Sequence, residues 1–530
     1  MNKPNLGKDE VNEVNYKEYL EKINQDLEKI KDTYADPLDG ILKYDKKGIC
    51  TTFFGEIEGN IDIGIIISKE KEIVDIVTKI DGIKSDLNNK LGIPPNLKEV
   101  YIKSLESMKN KFLMFKNALW IEGEKSGYIL SDEERNIYYT NVLDLQKKVY
   151  GERVSDNPKE VKDTLDKLHI LFEKNKGKLD EEEVNIFNNF LSRSDKDFSF
   201  SYIIKEKEQT EAKKDLVLEE KNIDKSKLKK ISQDIVNFYK NHFGEENTDL
   251  GKWNIIEQSG ISSLNISGMK EEFRIPEDYE NVDRKKITQT VASHEIEQHL
   301  LGWDNNNRVL GKGFTSGGYD FISEGVAKIN EDISLGKVNS IEDLIKLKEG
   351  VSIGIIGVFV CENYSYEDAV KILTIYNKLS SKDDEEKCKK KAIDIVKRRK
   401  RFVPYNMPGS SIKDTLYQRG KNRVIDYLTE DSNLETAIKK YKDLNTFKFG
   451  PEELKYINEI KKELDVKDEE LIYTLFIGRI LHDKLNKGKG STKEYLSGMN
   501  LNKKNIEFKT KRELVNILGQ LKESKKENQS

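Results

Sequence analysis

Histidine is rare in this chain, with five in 530 residues. Cysteine is rarer still: Cys50, Cys361 and Cys388 are odd in number and far apart. That excludes a disulfide framework and fits a reducing compartment. Long apolar runs are missing as well. The longest, Ile353 to Cys361, falls well short of the ~20 residues that a membrane-spanning helix needs. Neither sign of charge dominates: 91 Lys and Arg face 95 Asp and Glu, for a net −4, which leaves no broad basic field for nucleic acid. The opening stretch, Met1 to Glu10, is polar and acidic, unlike a signal peptide. These absences predict a soluble, cytoplasmic protein with neither a membrane nor a nucleic acid as partner. Hydrophobic residues make up 36% and charged residues 35%, a strongly polar but globular balance. The length allows roughly two to four domains and a large core.

Two of the few histidines fall together, in His294-Glu295-Ile296-Glu297-Gln298-His299. Neutral imidazole is the commonest metal ligand. A glutamate beside such a pair is the usual general base of a zinc hydrolase. The common zincin motif places its histidines four apart, on one helix face; here they are five apart. Five steps on an ideal α-helix separate two side chains by about 140°, so both reach one ion only where the helix is widened. The spacing therefore predicts a π-type distortion between His294 and His299. The bland alternative is an exposed α-helix with an i,i+4 pair between Glu295 and His299.

A catalytic zinc site usually needs a third protein ligand and keeps one open position. Downstream stands Ser323-Glu324-Gly325-Val326-Ala327, where a glycine-rich loop (Gly311, Gly313, Gly317, Gly318) gives way to an expected helix, Glu324 to about Leu335. Glu324 is one candidate for the third ligand; Glu331 and Asp332 compete with it. The glycine loop lacks the Lys-Ser/Thr ending of a phosphate loop. It is read as either a mobile loop over the active site or a plain surface loop.

Taken together, HEIEQH and SEGVA resemble the tyrosine/phenylalanine carboxypeptidases. That family includes the tubulin tyrosine carboxypeptidases and the bacterial QEGLA-motif proteins, once a domain of unknown function. Its members carry HEIGTH followed by an E-G-L-A stretch. Three further segments are similar to family elements and stand in the family's order. They are Lys148-Val149-Tyr150-Gly151-Glu152, Phe273-Arg274-Ile275-Pro276, and Arg401-Phe402 with Ile412-Lys413-Asp414-Thr415-Leu416-Tyr417 and Gly420. The resemblance covers roughly residues 140–430. The chain departs from the pattern at Glu297, Gln298, Ser323, Val326 and Ser411.

The resemblance implies His294, His299 and Glu324 as ligands of one zinc ion per chain, and Glu295 as the catalytic glutamate. It implies removal of a C-terminal Tyr or Phe from a peptide or protein. Such an enzyme must recognise a terminal carboxylate, for which an Arg fork is best suited. Most of the basic run Lys397-Arg398-Arg399-Lys400-Arg401 is expected to be a solvated face. Arg401 and Lys413 align with the family's motif and are the candidates for that carboxylate. Tyr417 is a candidate hydrogen-bond donor to the oxyanion or the substrate backbone. Two rival readings are a non-catalytic regulatory module that keeps the fold, and a zinc endopeptidase.

The expected fold is α+β and mostly helical: a gluzincin-like zinc metallopeptidase core with a short sheet, and helical portions on both sides. Residues 1–139 form the helical N-terminal region, 140–430 the catalytic domain, 431–522 a C-terminal helical region, and 523–530 a disordered tail. Helical periodicity marks 16–34, and alternating isoleucines make 51–68 a candidate strand. Helices are expected at about 70–91, 95–118, 131–149, 158–174, 180–193 and 226–241. Short strands are expected at 253–258, 260–267 and 271–275, followed by the metal helix, 284–303. Helices then recur at about 340–348, 350–362, 365–379, 383–400 and 412–429, with a loop at 403–411. His169, His242 and His482 have no partner motif and are expected to be structural.

Overall fold

In the computed structural model, residues 16–41, 63–125, 128–197, 225–335 and 351–474 are described, apart from short interior gaps at 245–246, 260, 262, 278, 280–285, 313, 431–433, 468–469 and 473. Helices dominate, beside one small sheet. The N-terminal helices are α1 (Tyr16–Ile41), α2 (Ile63–Asn89), α3 (Pro95–Lys125), α4 (Asp132–Tyr150), α5 (Pro158–Asn175), α6 (Glu181–Asp197) and α7 (Lys225–Phe243). Then come β1 (Asn254–Gln258), β2 (Asn265–Ser267), β3 (Glu272–Pro276) and a π-helix, Ile287–Leu300. The rest is α8 (Leu301–Val309), α9 (Tyr319–Ser334), α10 (Ile353–Asn363), α11 (Tyr366–Ser380), α12 (Glu385–Arg399), α13 (Leu416–Thr429), α14 (Leu434–Asp443) and α15 (Ile457–Glu463).

Local chemistry explains where several helices start. Ser131 and Glu134 form a reciprocal capping box at α4, which satisfies two otherwise orphaned backbone donors. Asn157 caps α5, and Pro158 fills its first position, where a missing N–H costs nothing. Ser352, Ser365 and Asp384 cap α10, α11 and α12.

The strand expected at 51–68 needs correction. Residues 51–62 lie outside the described ones, and from Ile63 onward the segment is helix α2. Ile66, Ile73, Ile76, Ile80 and Leu87 are buried, while Ile67 is exposed. That burial follows the helical period, which overrides the short alternation of isoleucines. The expected helix at 340–348, His482 and the tail 523–530 also lie outside the described residues.

Strand β3 is central in the sheet, parallel to β1 and antiparallel to β2. Three apolar cores organise the described residues. The first joins α1–α4 with α9, α13, Tyr441–Phe449 and α15, so the N-terminal helices and residues beyond 430 pack with the middle of the chain. The second holds α7, the sheet, the π-helix and Trp303 of α8. The third holds α5, α6 and α10–α12. Cys361 and Cys388 are buried free thiols. Among the described residues, no helix is long and apolar enough to cross a membrane.

Candidate metal centre

The distortion expected between His294 and His299 is present, and it extends over the whole of Ile287–Leu300. Bonds from i to i+5 widen each turn, which brings residues five apart to the same side. The two imidazole centroids lie 4.9 Å apart. The helix is buried nearly all round: Ile287, Val291, Ala292, Ile296 and Leu300 sit in the second core. His294 and Glu295 are each only 8% exposed. That burial removes the alternative of a solvated helix with an i,i+4 pair.

Glu324 comes from α9, which starts at Tyr319 rather than at Glu324 itself. Two glycines set its depth. A Cβ at Gly325 would lie 2.3 Å from the carbonyl carbon of Gly420, and one at Gly420 would lie 2.0 Å from Phe321 O. Helices α9 and α13 therefore cross with their backbones in contact, which only glycine permits. This brings Tyr417, one turn before Gly420, alongside Glu324.

Glu324 Oε2 lies 3.3 Å from His294 Nε2 and 3.7 Å from His299 Nε2. The ligand atoms of His294, His299 and Glu324 all fall within 4.8 Å of one another. Two atoms bonded at ~2.0–2.1 Å to one tetrahedral ion stand about 3.4 Å apart, so the spacing suits a cation of zinc size. Glu324 Oε2 is buried without an aligned hydrogen-bond donor. Such a group is costly unless something positive meets it, and a cation at the centre of the set would do so.

The competing carboxylates take other roles. Glu331 Oε1 lies 2.6 Å from His294 Nδ1, and Gln289 and Lys328 donate to Glu331 at 2.9 Å and 2.8 Å. A carboxylate on the outer nitrogen fixes the tautomer so that Nε2 offers its lone pair inward. Asp332 instead pairs with Lys421 at 2.8 Å. The outer nitrogen of His299 meets Ser323 Oγ at 3.0 Å.

Electrostatics at the centre are strongly perturbed. Burial alone would raise the pKa of Glu324, yet the two imidazoles hold it well below the usual carboxylate range. Burial disfavours the His294 cation, but Glu324 and Glu331 outweigh it and hold its pKa up at about 10. Burial, aided by His294 and Lys448, keeps the His299 pKa down. Burial foremost, with the charges of Glu324 and Glu331, pushes Glu295 up to about 8.

The three substrate-binding candidates separate. Tyr417 stands on α13, which crosses α9 at Gly325 and Gly420, and the Glu324 charge is the main cause of its raised pKa, with burial second. Lys413 is exposed, and its charge acts on Asp320, one turn before Glu324. Arg401 is half-buried in the turn after α12. Its neighbours are anchored elsewhere, Lys400 Nζ to the carbonyls of Cys361, Tyr364 and Met407 and Phe402 N to Glu122. The solvated reading of the basic run also needs correction. Lys400 is fully buried and Arg399 nearly so, because bent backbone and Asp414 supply them with acceptors inside the protein.

The glycine-rich stretch is packed rather than open. Phe314 is fully buried, Ser316 N donates to Lys448 O at 3.0 Å, and Gly450 N donates to Ser316 Oγ at 2.6 Å. That contact delivers a residue with no motif of its own. The Lys448 ammonium is buried beside Ser323 Oγ at 3.3 Å and His299 O at 3.4 Å, 5.4 Å from the Trp303 ring centroid. Gly302 leaves the space for it: a Cβ there would lie 2.9 Å from Nζ. Its one sequence signal is a lysine between two aromatics, Phe447 and Phe449. Of the other described histidines, His242 stacks on Phe238, and His169 is half-buried on α5.

No family model, no curated protein and no solved structure matches the chain. The resemblance to the tyrosine/phenylalanine carboxypeptidases stands on its motif residues alone.

Proposed function

We propose that this chain is a zinc-dependent metallopeptidase with a gluzincin-type core, acting as a carboxypeptidase that removes a C-terminal Tyr or Phe. The observation that carries the reading is the convergence of His294, His299 and Glu324 on one point, with Glu295 buried beside them. Donor chemistry supports zinc: two imidazole nitrogens and one carboxylate are the protein ligands of many catalytic zinc sites. The aromatic preference rests on the family resemblance.

His294, His299 and Glu324 would hold the ion, and Glu331 and Ser323 would orient the two imidazoles. A zinc ion so held would lower the pKa of a water to about 7 and polarise the scissile carbonyl. Glu295 takes the proton of the attacking water as the new C–O bond forms, and delivers it to the leaving amine as the C–N bond breaks. Glu295 is buried directly beside His294, in reach of a water at the centre of the set. Tyr417 is a neutral phenol at neutral pH, as an ordinary tyrosine is. It can therefore donate to the developing oxyanion.

The test is a mixed peptide pool followed by mass spectrometry, with Glu295→Gln in parallel. Wild type is expected to release single C-terminal Tyr or Phe residues. Glu295→Gln should be slower by about 100-fold or more with metal content unchanged. Internal cuts would identify an endopeptidase. No cleavage by zinc-loaded wild type would sink the peptidase reading.

A further inference from the structure

We infer that Arg398, rather than Arg401 or Lys413, is the cation that receives the substrate's terminal carboxylate. The inference rests on the carboxypeptidase reading and deepens it. Two adjacent arginines at the end of α12 share one acid. Arg398 Nε and Nη2 contact Asp414 Oδ1 at 2.9 and 2.8 Å, and Arg399 Nη2 lies 3.3 Å from Asp414 Oδ2. Asp414 is itself buried. Two positive charges against one negative leave the cluster with an uncompensated positive charge.

The two arginines differ in where they are held. Arg399 is wedged under α10, where a Cβ at Gly357 would lie 2.5 Å from its Nε, and its side chain is only 7% exposed. Arg398 has a side chain 52% exposed. The surplus charge is therefore available to a ligand only through Arg398.

Arg398 also points the right way. Asp414, which Arg398 grips, lies in the short turn Ile412–Thr415 that leads directly into α13 and Tyr417, and Lys328 Nζ stands 5.8 Å from the Tyr417 ring centroid while bonded to Glu331, the partner of His294 Nδ1. The order Glu324, Tyr417, Arg398 runs outward from the ligands, and a C-terminal residue would span the same path from scissile carbonyl to carboxylate. Asp414 orients the guanidinium, and an Arg carries five N–H donors in a rigid fork. Those not used by Asp414 can take a carboxylate bidentately. Lys328, the other cation near Tyr417, is already engaged by Glu331 at 2.8 and 2.9 Å.

The experiment compares zinc-loaded wild type, Arg398→Gln, Arg398→Lys, Arg401→Ala and Lys413→Ala on a peptide ending in Phe, supplied as the free acid and as the C-terminal amide. Wild type should strongly prefer the free acid. Arg398→Gln should lose about 100-fold in kcat/KM on the free acid, mostly through KM, and so lose the preference for acid over amide; two charge-assisted hydrogen bonds have about this worth. Arg398→Lys keeps the charge without the fork and should lose about 10-fold. Affinity of Glu295→Gln for the two peptides, measured with and without Arg398→Gln, reads the same discrimination without turnover. Zinc content and melting curves identify a misfolded Arg398→Gln, in which case Arg398→Lys carries the comparison. Retained discrimination in both Arg398 variants would overturn the inference, as would its collapse in Arg401→Ala or Lys413→Ala instead. Failure of wild type to cleave either peptide is a different result: it removes the carboxypeptidase reading and the inference with it.

Discussion

Each histidine of the central pair has a different partner on its outer nitrogen. His294 faces the carboxylate of Glu331, and His299 faces the hydroxyl of Ser323. Partners of this kind typically alter metal affinity by 10–100-fold. Glu331→Gln is accordingly expected to weaken zinc binding by about that factor without abolishing the site, as measured by competition with a chromogenic chelator. Lys448 offers a second check at this scale. Burial, opposed by Asp320 and Glu324, brings its pKa down to about 7 from the ordinary 10.5. Between these values the unfolded chain holds a proton that the folded chain has shed, so the contribution of Lys448 to stability rises with pH across the window. The contributions of His294 and Glu295 fall over part of it, because the folded groups keep their protons to about 10 and about 8. The test is therefore the difference between wild type and Lys448→Met in denaturant melts of metal-free protein, in which the variant should lose stability relative to wild type from pH 7 to pH 9. An unchanged difference between the two proteins would show that Lys448 does not titrate there.

At the scale of elements, one close crossing decides the site. Helices α9 and α13 touch at Gly325 and Gly420, and the contact brings Tyr417 to Glu324. Gly420→Ala should cost about 1–3 kcal/mol in stability through overpacking. Because the added methyl separates α13 from α9, peptidase activity should fall further than that loss of stability alone implies. Melting temperature and kcat/KM measured on one preparation would distinguish the two effects. Unchanged activity in a folded variant would show that Tyr417 is not held by this crossing. The π-helix was legible beforehand, since two ligands five residues apart leave an α-helix no way to present both. The strand at 51–68 misread a helix, because a short run of isoleucines satisfies either period. In the glycine-rich stretch, glycines mark close approach as well as backbone freedom, and here Gly317 O lies against Gly450.

Across the molecule, the ligands come from different cores. His294 and His299 stand on the π-helix of the second core, and Glu324 on α9, whose Ile322, Val326, Ile329 and Ile333 belong to the first. A metal there would join the two. Binding to the native state alone stabilises by about 4 kcal/mol when free metal is a thousandfold above its Kd. Chelation is therefore expected to lower the melting temperature of wild type clearly, and to leave Glu324→Ala little changed. Thermal melts with and without a chelator would measure this. Equal melting of wild type in both conditions would remove the metal.

The sequence alone determined what lies within a few residues along the chain. The pairing of His294, Glu295 and His299, the widened helix, the helical character and the short strands all follow from spacing and periodicity. The tertiary structure decided what depends on distant residues meeting. It selected Glu324 over Glu331 and Asp332 to face both Nε2 atoms, since any one of 95 acidic residues looks alike in sequence. It buried Lys400 and Arg399 out of a run that reads as solvated. It carried Lys448 across 149 positions to His299. Periodicity is local, whereas the burial and charge of a side chain are set by whatever packs against it.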